Sequence, residues 1–348
     1  MTVPAPRTSP LAGLGVTTPV LAAPMAGGAT TAALVTAAAH AGGLGFLAAG
    51  YKTAEQLRTQ VAEVRAATQV FGVNLFAPSP LAVDPAAYRR YAAALRPLAQ
   101  RYQVELPPEP VEDDDDWEQK LELLRRAPVP VVSFTFAIPP RPVIDSLRSA
   151  GSVVAQTVTN AGEARAATDA GVDALVVQGW AAGAHSGTLT PSRFPEPVPL
   201  AELVAMVRAD SGLPVVAAGG LAAPAQVAAA IHAGAAAVMV GTALLRTDES
   251  GASAVHRAAI ADPASRPTVL TRAFTGRPAR GIRNQFIDEF DAIAPPGYPA
   301  VHYLTSPVRK AAAAAGDAGA VHLWAGTGYQ QAAAGPAADV LRALAGAS

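Results

Sequence analysis

The chain has 348 residues, a formal net charge of -1 and no cysteine. That length suits one large α/β domain with a smaller appendage. The balanced charge argues against a nucleic-acid footprint, which needs clustered basic surface, and the missing thiols exclude disulfides, Fe–S clusters and thiolate catalysis.

Residues 8–51 carry no Asp, Glu, Lys or Arg. Pro19, Pro24, Gly27, Gly28, Gly42, Gly43 and Gly45 break this run, and Arg7 alone is a weak basic flank for a targeting signal. Buried strands and a helix are expected there, with no membrane segment and a cytoplasmic location. Eight short apolar runs follow one another at 20–25, 44–49, 71–76, 131–136, 153–158, 174–178, 215–218 and 237–240. Continuous runs of this kind suit parallel strands buried on both faces. Helical patterns separate most of them. Thr53 with Gln56 forms a capping-box pattern ahead of Leu57, Val61 and Val64. Asn160 with Glu163 opens a second helix and Gly171 closes it. A third carries Leu200, Leu203, Val204 and Val207 and ends near Gly212. Pro224 suits a first helical turn and Gly234 a helix end.

Eight strand–helix units predict an α/β fold, a TIM (β/α)8 barrel over residues 1–246, close to the usual size of about 250 residues. Segment 78–128 is too long for an ordinary loop and reads as an insertion. It holds a helix over 85–102 and the acidic run 113–116, in which Asp116 is expected to cap a helix starting at Trp117 and the other acids to be solvated. A small helical subdomain on the substrate side is expected over 247–310, and a C-terminal helical tail over 311–348 packing on the barrel.

The loops after the last two barrel strands usually bind phosphate. Gly219-Gly220 and Gly241-Thr242 stand there and expose backbone N–H groups to a close anion. Gly13-Leu-Gly15 does not make a dinucleotide fingerprint. Asn74 interrupts an apolar strand and needs partners, either a flavin edge or the neighbouring strand. Gln178 raises the same question, and Pro24-Met25 ends the first strand, where Met25 either pads a flat ring or fills core. His185 follows the sixth strand in a Gly/Ala-rich loop. It suits a neutral proton acceptor or a cation for an anionic substrate. His40, His232, His256, His302 and His322 are scattered without metal-ligand spacing, so no metal is expected. Ser186-Gly187 lacks a nucleophile-elbow pattern. Tyr298, His302, Tyr303 and Arg309 are candidates for lining a substrate pocket above the barrel.

Several blocks carry a family resemblance. They are A-P-M-A-G-G at 23–28, A-G-G-L-G-F-L-A-A-G-Y at 41–51, F-G-V-N-L-F at 71–76, Q-G-x-x-A-G-x-H at 178–185, A-G-G at 218–220 and V-G-T at 240–242. G-R-P-A-R-G-I-R-N at 276–284, Y-P-x-V-H-x-L-T-x-P at 298–307 and L-W-A-G at 323–326 continue it. In this order the chain resembles nitronate monooxygenases. The resemblance implies a barrel that binds FMN non-covalently through Pro24, Met25, Asn74, Gln178, Gly183, Gly220, Met239, Val240, Gly241 and Thr242. His185 matches the family's catalytic histidine. It further implies that O2 oxidises alkyl nitronates, with nitroalkanes also open as substrates, to a carbonyl compound and nitrite. The chain departs from the family pattern at Ala181 (usually Glu), Ala184 (often Gly), Ser186 (commonly Arg) and Thr327-Gly328. Two alternatives remain open at this level. One is an NAD(P)H-dependent flavin reductase of quinones or enoyl thioesters, and the other a flavin-binding protein without turnover. A homo-oligomer also stays open.

Overall fold

A computed structural model describes residues 12–79, 81–264 and 266–346; Arg7 and the start of the charge-free run lie outside them. The strands are β1 Val20–Ala22, β2 Gly45–Ala48, β3 Phe71–Phe76, β4 Val131–Thr135, β5 Val153–Val158, β6 Ala174–Gln178, β7 Ala184–His185, β8 Val215–Ala218, β9 Ala237–Val240, β10 Thr268–Thr271 and β11 Ala279–Ile282. Eight of them close a parallel barrel in the order β1-β2-β3-β4-β5-β6-β8-β9. β9 returns to β1 with Leu21 opposite Met239. All eight expected runs contain a barrel strand. Each strand buries both faces. Leu21, Phe46, Val131, Val176, Val216 and Met239 fill the interior, while Val20, Leu47, Val132, Leu175, Val177 and Val215 pack outward. No described helix is long and apolar enough to cross a membrane.

Local signals act as their chemistry requires. Thr53 and Gln56 form a complete capping box on helix Ala54–Ala67. Asn160 caps helix Ala161–Ala170, which ends at Gly171 in the left-handed conformation. Pro224 starts helix Pro224–His232.

Three expectations need correction. The segment after β9 is not purely helical: β10 and β11 pair antiparallel, and β11 pairs in turn with β7. A two-residue strand such as β7 is too short to show an alternating pattern. The boundary at 310 falls inside helix Ala300–Ala314, because the alanines after Lys310 are strong helix formers. Asp116 does not cap its own helix Trp117–Arg126; it sits in the left-handed region at φ 51 with no side-chain cap bond. Its Oδ2 accepts from the Ala54 N–H at 3.0 Å, so it helps to cap helix Ala54–Ala67 instead. Two of the other acids are also engaged, while Asp114 is exposed as expected. Asp115 pairs with buried Lys120 at 2.8 Å and accepts from the Tyr51 N–H at 2.8 Å, and Asp113 accepts from the Tyr303 hydroxyl.

The insertion and the segment after β9 share a second core, in which Tyr88, Tyr91 and Leu95 pack with Phe274, Phe286, Val301, Leu304 and Leu323. This core forms a cap on the barrel. The last helix, Ala337–Leu344, places Ala337, Leu341 and Leu344 in the outer barrel core.

Candidate active site

The carboxyl ends of the barrel strands and the cap enclose a cavity of about 830 Å³. Pro24, Met25, Asn74, Gln178, Gly183, His185, Gly219, Gly220, Met239, Val240, Gly241 and Thr242 all line it, with His302, Tyr303 and Arg309 opposite. Tyr298 stands one layer back. It packs its ring edge-on to Phe136 and His185 and lies 3.2 Å from the Tyr51 hydroxyl.

One end of the cavity is backbone. Gly219 and Gly220 have φ +107 and +74, a conformation that only glycine adopts at low cost. A Cβ on Gly220 would lie 2.8 Å from that of Ala181. The N–H groups of Gly220, Leu221 and Thr242 take no acceptor among the described residues. The Thr242 hydroxyl accepts from the Gly326 N–H at 3.0 Å, and the Ala181 carbonyl from the Thr327 N–H at 3.1 Å. Three loops therefore meet, and two of them leave backbone donors open beside the cavity, an arrangement that fits a phosphate. Of the departures from the family pattern, Ala181 and Thr327-Gly328 lie in this cradle.

Along the floor, Asn74 donates to the Ser133 and Thr135 hydroxyls at 3.0 Å each. Its amide nitrogen is thus held by the neighbouring strand, while its Oδ1 has no partner among the described residues. Both ends of Gln178 are occupied. Nε2 donates to the His185 carbonyl at 3.1 Å, and Oε1 accepts from the Gly187 N–H at 2.7 Å. Its amide anchors the histidine segment.

The other end is built from side chains. His185 is not on a free loop: β7 pairs it with Ala279 of β11. Its Nε2 lies 2.9 Å from the Thr275 hydroxyl, and the rings of Phe136, Tyr298 and Trp324 surround it. Burial, then the charges of Arg277 and Arg309, push its pKa down to about 3. Burial thus favours the neutral imidazole at ordinary pH over the cationic reading of His185. Arg277 is fully buried, with its guanidinium 3.9 Å over the Phe136 ring and Nη2 donating to the Thr188 carbonyl at 2.6 Å. Arg309 is bonded to the Thr305 hydroxyl and the His302 carbonyl. Neither guanidinium forms a carboxylate ion pair among the described residues. His302 stacks on Tyr51 with centroids 4.2 Å apart.

Sequence reading found no metal-ligand spacing among the other five histidines and offered only His302 for the pocket, yet His256 and His322 also line this cavity with His185 and His302. Burial lowers the pKa of each, and no described group of residues could hold a metal. Tyr51, Phe136, Thr275, Arg277 and Trp324 were also missed as site residues. Backbone strain marks part of this wall. Six described non-glycine residues have positive φ. Tyr51, Asp115, Asp116, Phe136 and Ala184 line the cavity, and only Gln103 does not. Strained residues of this kind cluster at functional sites.

Comparison with known proteins agrees with this geometry. The family model for nitronate monooxygenase matches residues 8–346. A probable nitronate monooxygenase of Staphylococcus aureus (strain Newman) is 36% identical over 332 residues, covering 94% of this chain and 93% of that protein. The structure of nitroalkane oxidase from Streptomyces ansochromogenes superposes with a TM-score of 0.92 at 46% identity, over 97% of both chains. FabK from Thermotoga maritima is similar at TM-score 0.75 and 25% identity, over 97% of this chain and 95% of that one. A barrel with a backbone cradle at one end of its cavity and a neutral histidine at the other, matched along nearly its whole length, is an oxidoreductase, and the chain belongs to the nitronate monooxygenase family.

Proposed function

We propose that the protein binds FMN non-covalently in the barrel mouth and oxidises alkyl nitronates with O2, giving a carbonyl compound and nitrite. The open donors of Gly220, Leu221 and Thr242 suit the FMN phosphate. Pro24, Met25 and Asn74 would flank its ring, with the Asn74 Oδ1 as acceptor. A bound flavin supplies the redox step, taking electrons from the substrate and passing them to O2. The chain's own residues position an anion and exclude water.

One observation carries the choice of substrate: a neutral His185 lies near two buried guanidiniums that lack carboxylate partners. A field of this sign favours a substrate that arrives as an anion. A nitronate is already ionised, so it needs no base. A neutral nitroalkane would need one, and an imidazole held near 3 is badly matched to removing a proton from carbon near neutral pH. His185 would instead pack against the bound substrate and fix its orientation. The reading places the enzyme in the cytoplasm.

Anaerobic mixing with an alkyl nitronate should bleach the flavin, and the neutral nitroalkane should react far more slowly. An unchanged spectrum across several nitronates, or bleaching by NADH alone, removes the reading.

A further inference from the structure

The segment between β10 and β11 contributes more than packing. Thr275 Oγ1 lies 2.9 Å from His185 Nε2, 3.3 Å from the Arg277 carbonyl, to which it donates, and 3.4 Å from the Arg277 N–H, from which it accepts. One hydroxyl has one proton. The Arg277 carbonyl has no other donor among the described residues, and Arg277 is fully buried. Turning the hydroxyl toward His185 would orphan that carbonyl, at the cost of a lost buried hydrogen bond. Pointing it at the carbonyl satisfies every group, provided the imidazole carries its proton on Nε2. Nδ1, which has no partner among the described residues, is then a bare acceptor.

We propose that Thr275 is a positioning residue that fixes His185 as the Nε2–H tautomer, so that a bare Nδ1 is the ring nitrogen left for the substrate. Residue 277 acts twice in this device. Its carbonyl holds the Thr275 proton, and its guanidinium discourages a second proton on the ring. The groups facing His185 reinforce this. Arg277 and Arg309 repel a proton, His302 and His322 are themselves held neutral by burial, and burial raises the phenols of Tyr51 and Tyr298. Glu163, the carboxylate that acts on Arg277, is occupied by Thr188 and Leu189. A bare Nδ1 can only accept, so it repels an anionic oxygen and admits a C–H or a proton-bearing group; the tautomer sets which substrate atom can meet the ring. This inference rests on His185 being the group that faces the substrate.

The test is ¹⁵N NMR of histidine-labelled protein as purified, between pH 6 and 8. The chain has six histidines, and His185→Asn assigns the signal. The expected result is a protonated Nε2 and a bare Nδ1 that do not titrate in this range. Thr275→Val should mix the tautomers and lower kcat about tenfold, as expected for one lost hydrogen bond, with KM little changed. Thr275→Ser should restore both. An Nδ1–H signal, titration in this window, or a Thr275→Val spectrum identical to the parent's overturns the proposal. The parent spectrum decides even if the valine variant does not fold. A bare Nδ1 in a protein inert to nitronates would sink the functional reading and leave the tautomer standing. Nitronate oxidation with an Nδ1–H ring would do the reverse.

Discussion

The two ends of the cavity are made from different materials. The cradle is backbone, from short contiguous segments at Gly219-Gly220, Gly241-Thr242 and 326–328. The opposite wall is side chains, from Tyr51, Phe136, His185, Thr275, His302, Arg309, His322 and Trp324, brought together by the cap. Backbone donors need no particular side chain, only a conformation, so they bind a constant group. Side chains from many loops adjust the field and shape around a variable one. On the proposed function the backbone end would take the cofactor and the side-chain end the substrate.

The largest test of that division is His185→Asn. The cradle is untouched, so bound flavin should stay at parental stoichiometry, while kcat with a nitronate falls about 10²-fold through lost orientation. Parallel loss of flavin and activity, read from absorbance and turnover on the same sample, would mean the ends are not separable.

The same division decided what was legible in the sequence. Barrel strands announced themselves because burial on both faces leaves continuous apolar runs, and the cradle because only glycine tolerates the backbone at 219 and 220. His185 was legible through its place after β6. Its surroundings were not, because a ring wall is a property of tertiary structure. Phe136 looked like the end of an apolar run, and Arg277 stood in a family-like block with no role attached. His256, His302 and His322 are far from His185 in sequence and share no spacing rule. Asp116 shows the same limit, since its cap bond goes to another helix. Tyr298 was placed one layer too far forward, because sequence cannot distinguish a wall residue from the one behind it.

Acid should expose the side-chain end next. Burial holds the folded-state pKa of His185 at about 3 and of His256 at about 4, against 6.5 unperturbed; His302 and His322 shift the same way. Below pH 6.5 the unfolded chain binds protons that the folded one refuses, so stability falls as pH falls toward the folded values. Asp115 works against this. Its carboxyl is pushed up to about 6, chiefly by burial, so the folded state takes up one proton there as pH drops. The net loss should be on the order of 3 kcal/mol between pH 6.5 and pH 5. Thermal melts across that window measure it, and a flat Tm would contradict a wall of neutral histidines.

Gly220→Val attacks the cradle alone. The side chain would meet Ala181, and φ +74 is strained for any branched residue, so a loss of about 2 kcal/mol is expected. Flavin affinity should fall steeply. The ¹⁵N signals of His185 should not move, since no bond of its ring reaches this loop. A shifted His185 signal would show that the ends communicate.

The smallest effect tests the strain between them. Ala184 has φ 63, in the left-handed region, at a position where the family often has glycine. The backbone must turn there because Gly183 passes the next loop closely, a Cβ on it lying only 2.5 Å from the Gly326 nitrogen, and His185 must then enter register with Ala279. Alanine in that region costs about 1–2 kcal/mol. Ala184→Gly would relieve this cost but give back up to about 1 kcal/mol through the freer unfolded chain. The net gain should be under about 1 kcal/mol by denaturant melts, with KM for the nitronate unchanged if the strain is only the cost of the turn. A glycine variant that is more stable but binds substrate less well would mean that Ala184 holds His185 in place, and that the departure from the family pattern tunes the side-chain end.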